Sequence, residues 1–124
     1  MPRFTLSKQQ RLHGKSAIDA LFAEGNYGYA HPFKYRFTLL ETDSPTAILV
    51  SIPKKLHKRA VRRNLLKRRT RESYRQCKHI LTDALAQKGL AAHIAFIYTS
   101  KEILDYRTID HAVHKILETV LSRS

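Results

Sequence analysis

The spacing of apolar and polar residues changes along this chain, and each change marks an element. From Phe33 to Leu39 the alternation is strict: Phe33, Tyr35, Phe37 and Leu39 fall on one side, and Lys34, Arg36 and Thr38 on the other. A period of two predicts a strand with one face on the core and one face open and basic. Ala47 to Ile52 is an apolar run that Pro53 ends, and His93 to Thr99 carries another, Ile94-Ala95-Phe96-Ile97. Continuous runs of this kind predict buried strands, the second covered on both faces. From Lys58 to Lys88 there is no Pro or Gly, and Leu66, Thr70, Ser73, Cys77, Ile80, Leu81 and Ala84 recur at three- and four-residue steps. That period predicts one long helix sealed to a core along this face, with Gly89 as its stop signal.

Shorter elements frame these. Ser16 is a candidate N-cap, with Asp19 as its capping partner, for a short helix whose inner face is Ile18, Leu21 and Phe22 and which Gly25 ends. Asn26 to Pro32, holding Tyr27 and Tyr29, reads as an exposed turn or a short strand, and Glu41 to Thr46 as a turn. Asp105 or Thr108 caps a last helix with Ile109, Val113, Ile116, Val120 and Leu121 on its core face. Residues 1–15 are an irregular basic lead-in, with Arg3, Lys8, Arg11 and Lys15 as its cations and Phe4 and Leu6 as its anchors. The order α-β-β-(β)-α-β-α predicts an α+β fold: a two-layer sandwich of one small mixed sheet with helices, in a single domain over residues 1–124. The strands at 47–52 and 93–99, joined through the long helix, should pair in parallel, and general rules predict a right-handed crossover.

Charge adds what periodicity does not. The stretch from Lys54 to Arg71 holds ten of the 23 Lys and Arg residues and no acid, and Glu72 is the first carboxylate after Asp43. On the helix, Asn64, Arg68, Arg71 and Arg75 fall opposite the apolar face. A solvated helix intersperses its signs, so an acid-free run points to a polyanion, as does the net charge of +13. No stretch approaches the ~20 apolar residues of a membrane span, and no signal-peptide pattern is present, so a cytoplasmic location is expected. The lone Cys77 excludes an internal disulfide and fits a reducing compartment; on the apolar helix face it reads as a buried thiol.

Catalytic chemistry has no visible carrier. The ten acids are scattered, and no pair is spaced for a shared metal. His111 and His114 stand three apart on the last helix without a third donor. No phosphate loop, zinc knuckle or nucleophile elbow occurs. No catalytic and no metal-ligating residue is therefore assigned. A DNA-reading helix would be shorter and less uniformly cationic.

The segment from Ser51 to Tyr74, SIPKKLHKRAVRRNLLKRRTRESY, resembles the signature of the bacterial ribonuclease P protein component. That motif is a strand ending in Ser-x-x-Lys-Lys, then Ala-Val-x-Arg-Asn-Arg-x-Lys-Arg-x-x-Arg. Here Lys54-Lys55 and the run from Ala60 to Arg71 match it, with Leu65 in place of one arginine. The resemblance implies the rare left-handed βαβ crossover, similar to that of a small-subunit ribosomal protein and of elongation factor G, in place of the right-handed one. It implies an RNA-binding subunit of the tRNA 5′-processing endonuclease, which helps a catalytic RNA remove the 5′ leader of precursor tRNA. Magnesium would come through the RNA subunit, with ribonuclease P RNA and precursor tRNA as partners and no membrane. The alternative is a small basic ribosomal or other structural RNA-binding protein with no role in tRNA processing.

Carried over by motif position and by helix face, the RNA-binding candidates are Lys54, Lys55, Arg59, Arg62, Arg63, Asn64, Lys67, Arg68, Arg69, Arg71 and Arg75. The leader-cleft candidates are Ile18, Phe22, Tyr35 and Arg36. Ile18 stands where many members have Phe, and the aromatic expected on the central strand is shifted or replaced, with Tyr35 and Arg36 side by side. At Leu65, the lost cation is expected to be replaced by Arg62 and Arg69, its i−3 and i+4 neighbours.

Overall fold

The computed structural model describes residue 12 and residues 14–124. The expected anchors Phe4 and Leu6, with Arg3, Lys8 and Arg11, lie outside the described residues. In chain order the elements are α1 (Lys15–Glu24), β1 (Asn26–Ala30), β2 (Phe33–Glu41), β3 (Ala47–Ser51), α2 (Ala60–Gln87), β4 (Leu90–Tyr98) and α3 (Tyr106–Ser122). They form one four-stranded sheet in the order β1-β2-β4-β3. All pairs are antiparallel except β3 with β4, which runs parallel as the crossover through α2 requires.

The core lies between the sheet and the pair α2 and α3. Phe33, Phe37, Ile94, Phe96 and Tyr98 point into it from the strands, and Leu66, Tyr74, Leu81, Leu85, Ile109 and Ile116 from the helices. The aromatic rings meet edge-on, Phe33 with Phe96 at 5.8 Å and with Tyr98 at 5.7 Å, the arrangement that ring quadrupoles favour. A half-buried bond from the Ser73 hydroxyl to Asp110 Oδ1, 2.6 Å, ties α2 to α3. Buried Thr70 is satisfied by its own helix, donating to Leu66 O at 2.8 Å.

The long helix departs from its expected face at two places. Ile80 is 56% exposed, whereas Tyr74 and Leu85 are fully buried. Neighbours on a helix diverge by about 100°, so Ile80 and Leu81 cannot both centre on the sheet, and Leu81 does. At α1 the N-cap is Gly14, at φ 94°, and no side chain caps the helix. Gly14 tolerates that backbone, so the chain enters the helix at Lys15, before Ser16 can cap it; Ser16 and Asp19 form no capping box. At α3, of the two candidate caps, Asp105 holds the position and its side chain accepts from Thr108 N at 2.9 Å.

A second, smaller cluster covers part of the other sheet face. Leu12 and Leu21, with Ala17, Ile18 and Phe22, pack on Ala47, Leu49 and Ala95. The opposite face of β2, expected to be open, is thus open only beyond the reach of α1.

The topology brings several chain ends to one edge of the sheet. β1, β3 and β4 finish there and β2 starts there, as do α2 and α3. Lys54, Lys55, Lys58, Arg59, Lys101 and Arg107 are exposed close to these ends. At the far end, Glu41, Asp43 and Asp83 line a cavity of ≈ 590 Å³ beneath the β2–β3 turn and the end of α2.

Candidate nucleic-acid interface

Two surfaces carry the sequence-predicted residues. The first is the outer flank of α2 with the loop that leads into it. Pro53 ends β3 and begins a turn closed by Leu56 N and His57 N, both donating to Pro53 O at 3.1 and 3.2 Å. His57 is the pivot. It is 2% exposed, its Nε2 donates to Ser100 O at 2.8 Å, and its ring lies 5.7 Å from that of Tyr98. Arg63 reaches back from the first turn of α2 and donates through Nη1 to His57 O at 2.9 Å and Lys58 O at 2.8 Å. The Ser100–His57–Arg63 chain fixes the loop, and Lys54, Lys55, Lys58 and Arg59 stand exposed on it.

The cations of α2 therefore divide by what holds them. Arg63 braces the loop. Arg69 donates to Leu104 O at 2.6 Å and is turned toward the segment before α3. Arg75 is paired with Glu72, whose carboxyl its hydrogen bonds hold below the usual carboxylate range. The side chains of Arg62, Asn64, Lys67, Arg68 and Arg71 make no hydrogen bond or ion pair among the described residues. Asn64, Lys67, Arg68 and Arg71 follow three- and four-residue steps along one flank, with Lys54, Lys55 and Arg59 at its N-terminal end. Arg63, Arg69 and Arg75 are RNA-binding candidates by sequence, and their guanidiniums are bonded within the chain. Of the two replacements expected at Leu65, Arg62 is open and Arg69 is turned to Leu104; Arg68, at i+3, is a further open neighbour.

The second surface is the sheet face that α1 half covers. Cross-strand partners share a face, so the register sets its rows. Tyr27, Arg36, Ala95 and Leu49 form one row, and Tyr29, Lys34, Ile97 and Ser51 the next. The first row lies against α1. Arg36 Nη1 donates to Phe22 O at 2.7 Å, and its guanidinium sits 5.5 Å from the Phe22 ring and 5.6 Å from the Tyr27 ring. The second row is open: Tyr29 is 58% exposed and Tyr27 is 75% exposed at the border. It ends at Ser51, from which the chain passes to Lys54 and Lys55, so the two surfaces adjoin.

Of the four cleft candidates, the structure gathers Ile18, Phe22 and Arg36 and leaves Tyr35 out. Tyr35 points to the other face, where it is buried and stacked on Phe37 at 6.3 Å. Its hydroxyl occupies the space that a side chain at position 28 would need, which explains Gly28. Alternation allows only one of two adjacent strand residues on each face, and that assigns the cleft to Arg36. The aromatic that flanks Arg36 comes instead from Tyr27 on β1. Sequence reasoning missed Tyr27 and His57. The first had a weak signal, the Tyr-Gly-Tyr alternation; the second, in a loop without a period, had none.

Among the described residues no group of three His, Cys, Asp or Glu could hold a metal ion. No helix among them is long and apolar enough to cross a membrane.

Comparison with known proteins identifies the family and the fold. The family profile described as Ribonuclease P matches residues 6–121. The ribonuclease P protein component of Porphyromonas gingivalis strain W83 is 40% identical over 118 residues, which cover 94% of this chain and 86% of that protein. The RNase P protein structure from Staphylococcus aureus superimposes with a TM-score of 0.74 at 20% identity, covering 91% of this chain and 96% of that one. The RNase P protein of Thermotoga maritima superimposes with a TM-score of 0.72 at 23% identity, covering 88% and 96%. At those identities the two structures establish the fold, and the profile and the sequence relative establish the family: this chain belongs to the ribonuclease P protein components, the protein subunits of the tRNA-processing ribonucleoprotein.

Proposed function

We propose that this subunit holds the ribonuclease P RNA on the α2 flank and the 5′ leader of precursor tRNA on the half-covered sheet face. The observation that carries this reading is the adjacency of two unlike surfaces. One is a row of cations without acids, suited to the closely spaced phosphates of a folded RNA. The other is a shallow cleft where Phe22, Tyr27, Tyr29, Arg36 and Lys34 offer rings and charges together, suited to the bases and backbone of a single strand. Lys54 and Lys55 lie between them, where a substrate docked on the RNA subunit would pass its leader onto the protein.

Cleavage belongs to the RNA subunit in this reading, with magnesium ions bound by that RNA. The protein contributes positioning and charge neutralisation: a leader held in the cleft raises substrate affinity, and the cations lower the magnesium needed for folding and catalysis. The cytoplasm, where precursor tRNA is made, is the proposed location.

The test is reconstitution with the cognate RNA subunit. Added protein should restore cleavage of precursor tRNA at low magnesium, and it should increase affinity for precursor over mature tRNA. Phe22→Ala with Arg36→Ala should erase the precursor preference while leaving binding to the RNA subunit intact. A protein that binds the RNA subunit but leaves cleavage and precursor preference unchanged would instead be a structural RNA-binding protein.

A further inference from the structure

A groove of ≈ 520 Å³ opens on the other side of β1 from the cleft, between the β1–β2 turn and α3. His31, Arg107, His111 and Lys115 line it, and no acid does. Arg107, His111 and Lys115 stand four apart along α3, so they form a line on one face. This arrangement opposes the helix's own electrostatics. Arg107, in the first turn, meets the positive end of the helix dipole. The acids of this helix stand outside the groove: Asp110 is bonded to Ser73 and His114, Asp105 caps the helix beside Arg107, and Glu118 lies three residues beyond Lys115. The groove is also joined to the cleft. Tyr29 belongs to the open cleft row, and its hydroxyl is hydrogen-bonded to His31 Nδ1 at 3.1 Å, at the groove's rim.

We propose that this groove binds the phosphate backbone of a single RNA strand that leaves the cleft over the β1 edge: the distal, 5′ part of a long leader. The proposal rests on the cleft holding the proximal part. The alternative occupant, the RNA subunit, is disfavoured by position. The row Asn64, Lys67, Arg68 and Arg71 lies on the flank of α2 away from Arg69, which turns toward the segment before α3, so a duplex seated on that row does not reach the groove. A flexible strand does, because the path crosses one edge strand and the depth of a sheet and helix layer, on the order of 15–20 Å.

The experiment uses the reconstituted holoenzyme and two precursor tRNAs, with leaders of about 4 and about 12 nucleotides, the span of known single-strand sites. The groove variant is Arg107→Gln, His111→Gln, Lys115→Gln; the cleft variant is Phe22→Ala, Arg36→Ala. Melting curves check that each is folded, and direct binding to the RNA subunit should stay within twofold. The groove variant should weaken binding of the long-leader substrate about tenfold and leave the short-leader one unchanged. Its salt slope for the long leader should fall by about 1.4, from Arg107 and Lys115 at ~0.7 each. Equal weakening of both substrates, or of neither, overturns the groove; so does weaker binding to the RNA subunit, which would make that RNA the occupant. Failure of the proposed cleft reads out separately, as a cleft variant that binds both precursors like the unmodified protein.

Discussion

Replacing Arg63 by Ala separates a brace from a contact. Arg63 has the sequence position of an RNA-binding arginine, yet its Nη1 donates to the carbonyls of His57 and Lys58. A hydrogen bond to a charged donor contributes ~1.5–3 kcal/mol when fully desolvated. Arg63 is only half buried and both bonds share one nitrogen, so Arg63→Ala should cost ~1–2 kcal/mol of stability. The loop carrying Lys54, Lys55, Lys58 and Arg59 would then be less ordered before binding. Re-ordering one residue at ~1–2 kcal/mol lowers RNA affinity roughly tenfold. The number of phosphates neutralised does not change, so the salt slope should stay the same. Arg68→Ala should do the opposite: stability within about 0.5 kcal/mol of the parent, and a slope smaller by ~0.7–0.9. The assays are chemical denaturation and RNA-subunit binding across a salt series. His57→Ala should follow Arg63→Ala and cost more, ~2–3 kcal/mol, because it leaves Ser100 O without its buried donor. If Arg63→Ala kept full stability and lowered the slope as Arg68→Ala does, the guanidinium would be on the RNA and the brace would be refuted.

Other substitutions test the remaining assignments. Asn64→Ala should weaken RNA binding by ~1–3 kcal/mol at near-parent stability, and Leu66→Ala or Leu81→Ala should cost ~2–5 kcal/mol of folding with little direct effect on binding; equal melting losses in both groups would contradict the two faces of α2. Around Leu65, Arg62→Ala should lower affinity more than Arg69→Ala, since Arg69 is held by Leu104 O, and Leu65→Arg should restore most of the loss in the Arg62→Ala background; equal losses would mean that Arg69 also reaches the RNA. Burial pushes the Cys77 thiol from 9.0 up to about 11. The neutral form is favoured in the fold, so its contribution is complete below pH 9 and is lost as pH rises from 9 to 11. Burial also raises Tyr74 well above the ordinary tyrosine value, which adds to the loss above pH 10. Cys77→Ala should shallow the fall in melting temperature between pH 9 and 11, and a folded protein whose thiol reacts rapidly at pH 8 would contradict the burial.

The chain by itself determined its elements and the character of its partner. Alternation at 33–39, the apolar runs at 47–52 and 93–99 and the helical period after Lys58 are local patterns, and local backbone geometry turns each into one element. The acid-free run of cations needs no fold to identify a polyanion. Tertiary structure decided which of those cations are tied within the chain. Arg63, Arg69 and Arg75 are alike in sequence to Arg62, Arg68 and Arg71. Their partners are His57 O and Lys58 O, Leu104 O and Glu72. Two of the three partners lie in loops whose position depends on how β4 and α3 pack, and the third is settled by side-chain rotamers. The cleft followed the same division. Strand alternation put Tyr35 and Arg36 on opposite faces. Only the packing of α1 on one face and α3 on the other could say which of the two lines the cleft, and only the pairing of β1 with β2 could bring Tyr27 to Arg36.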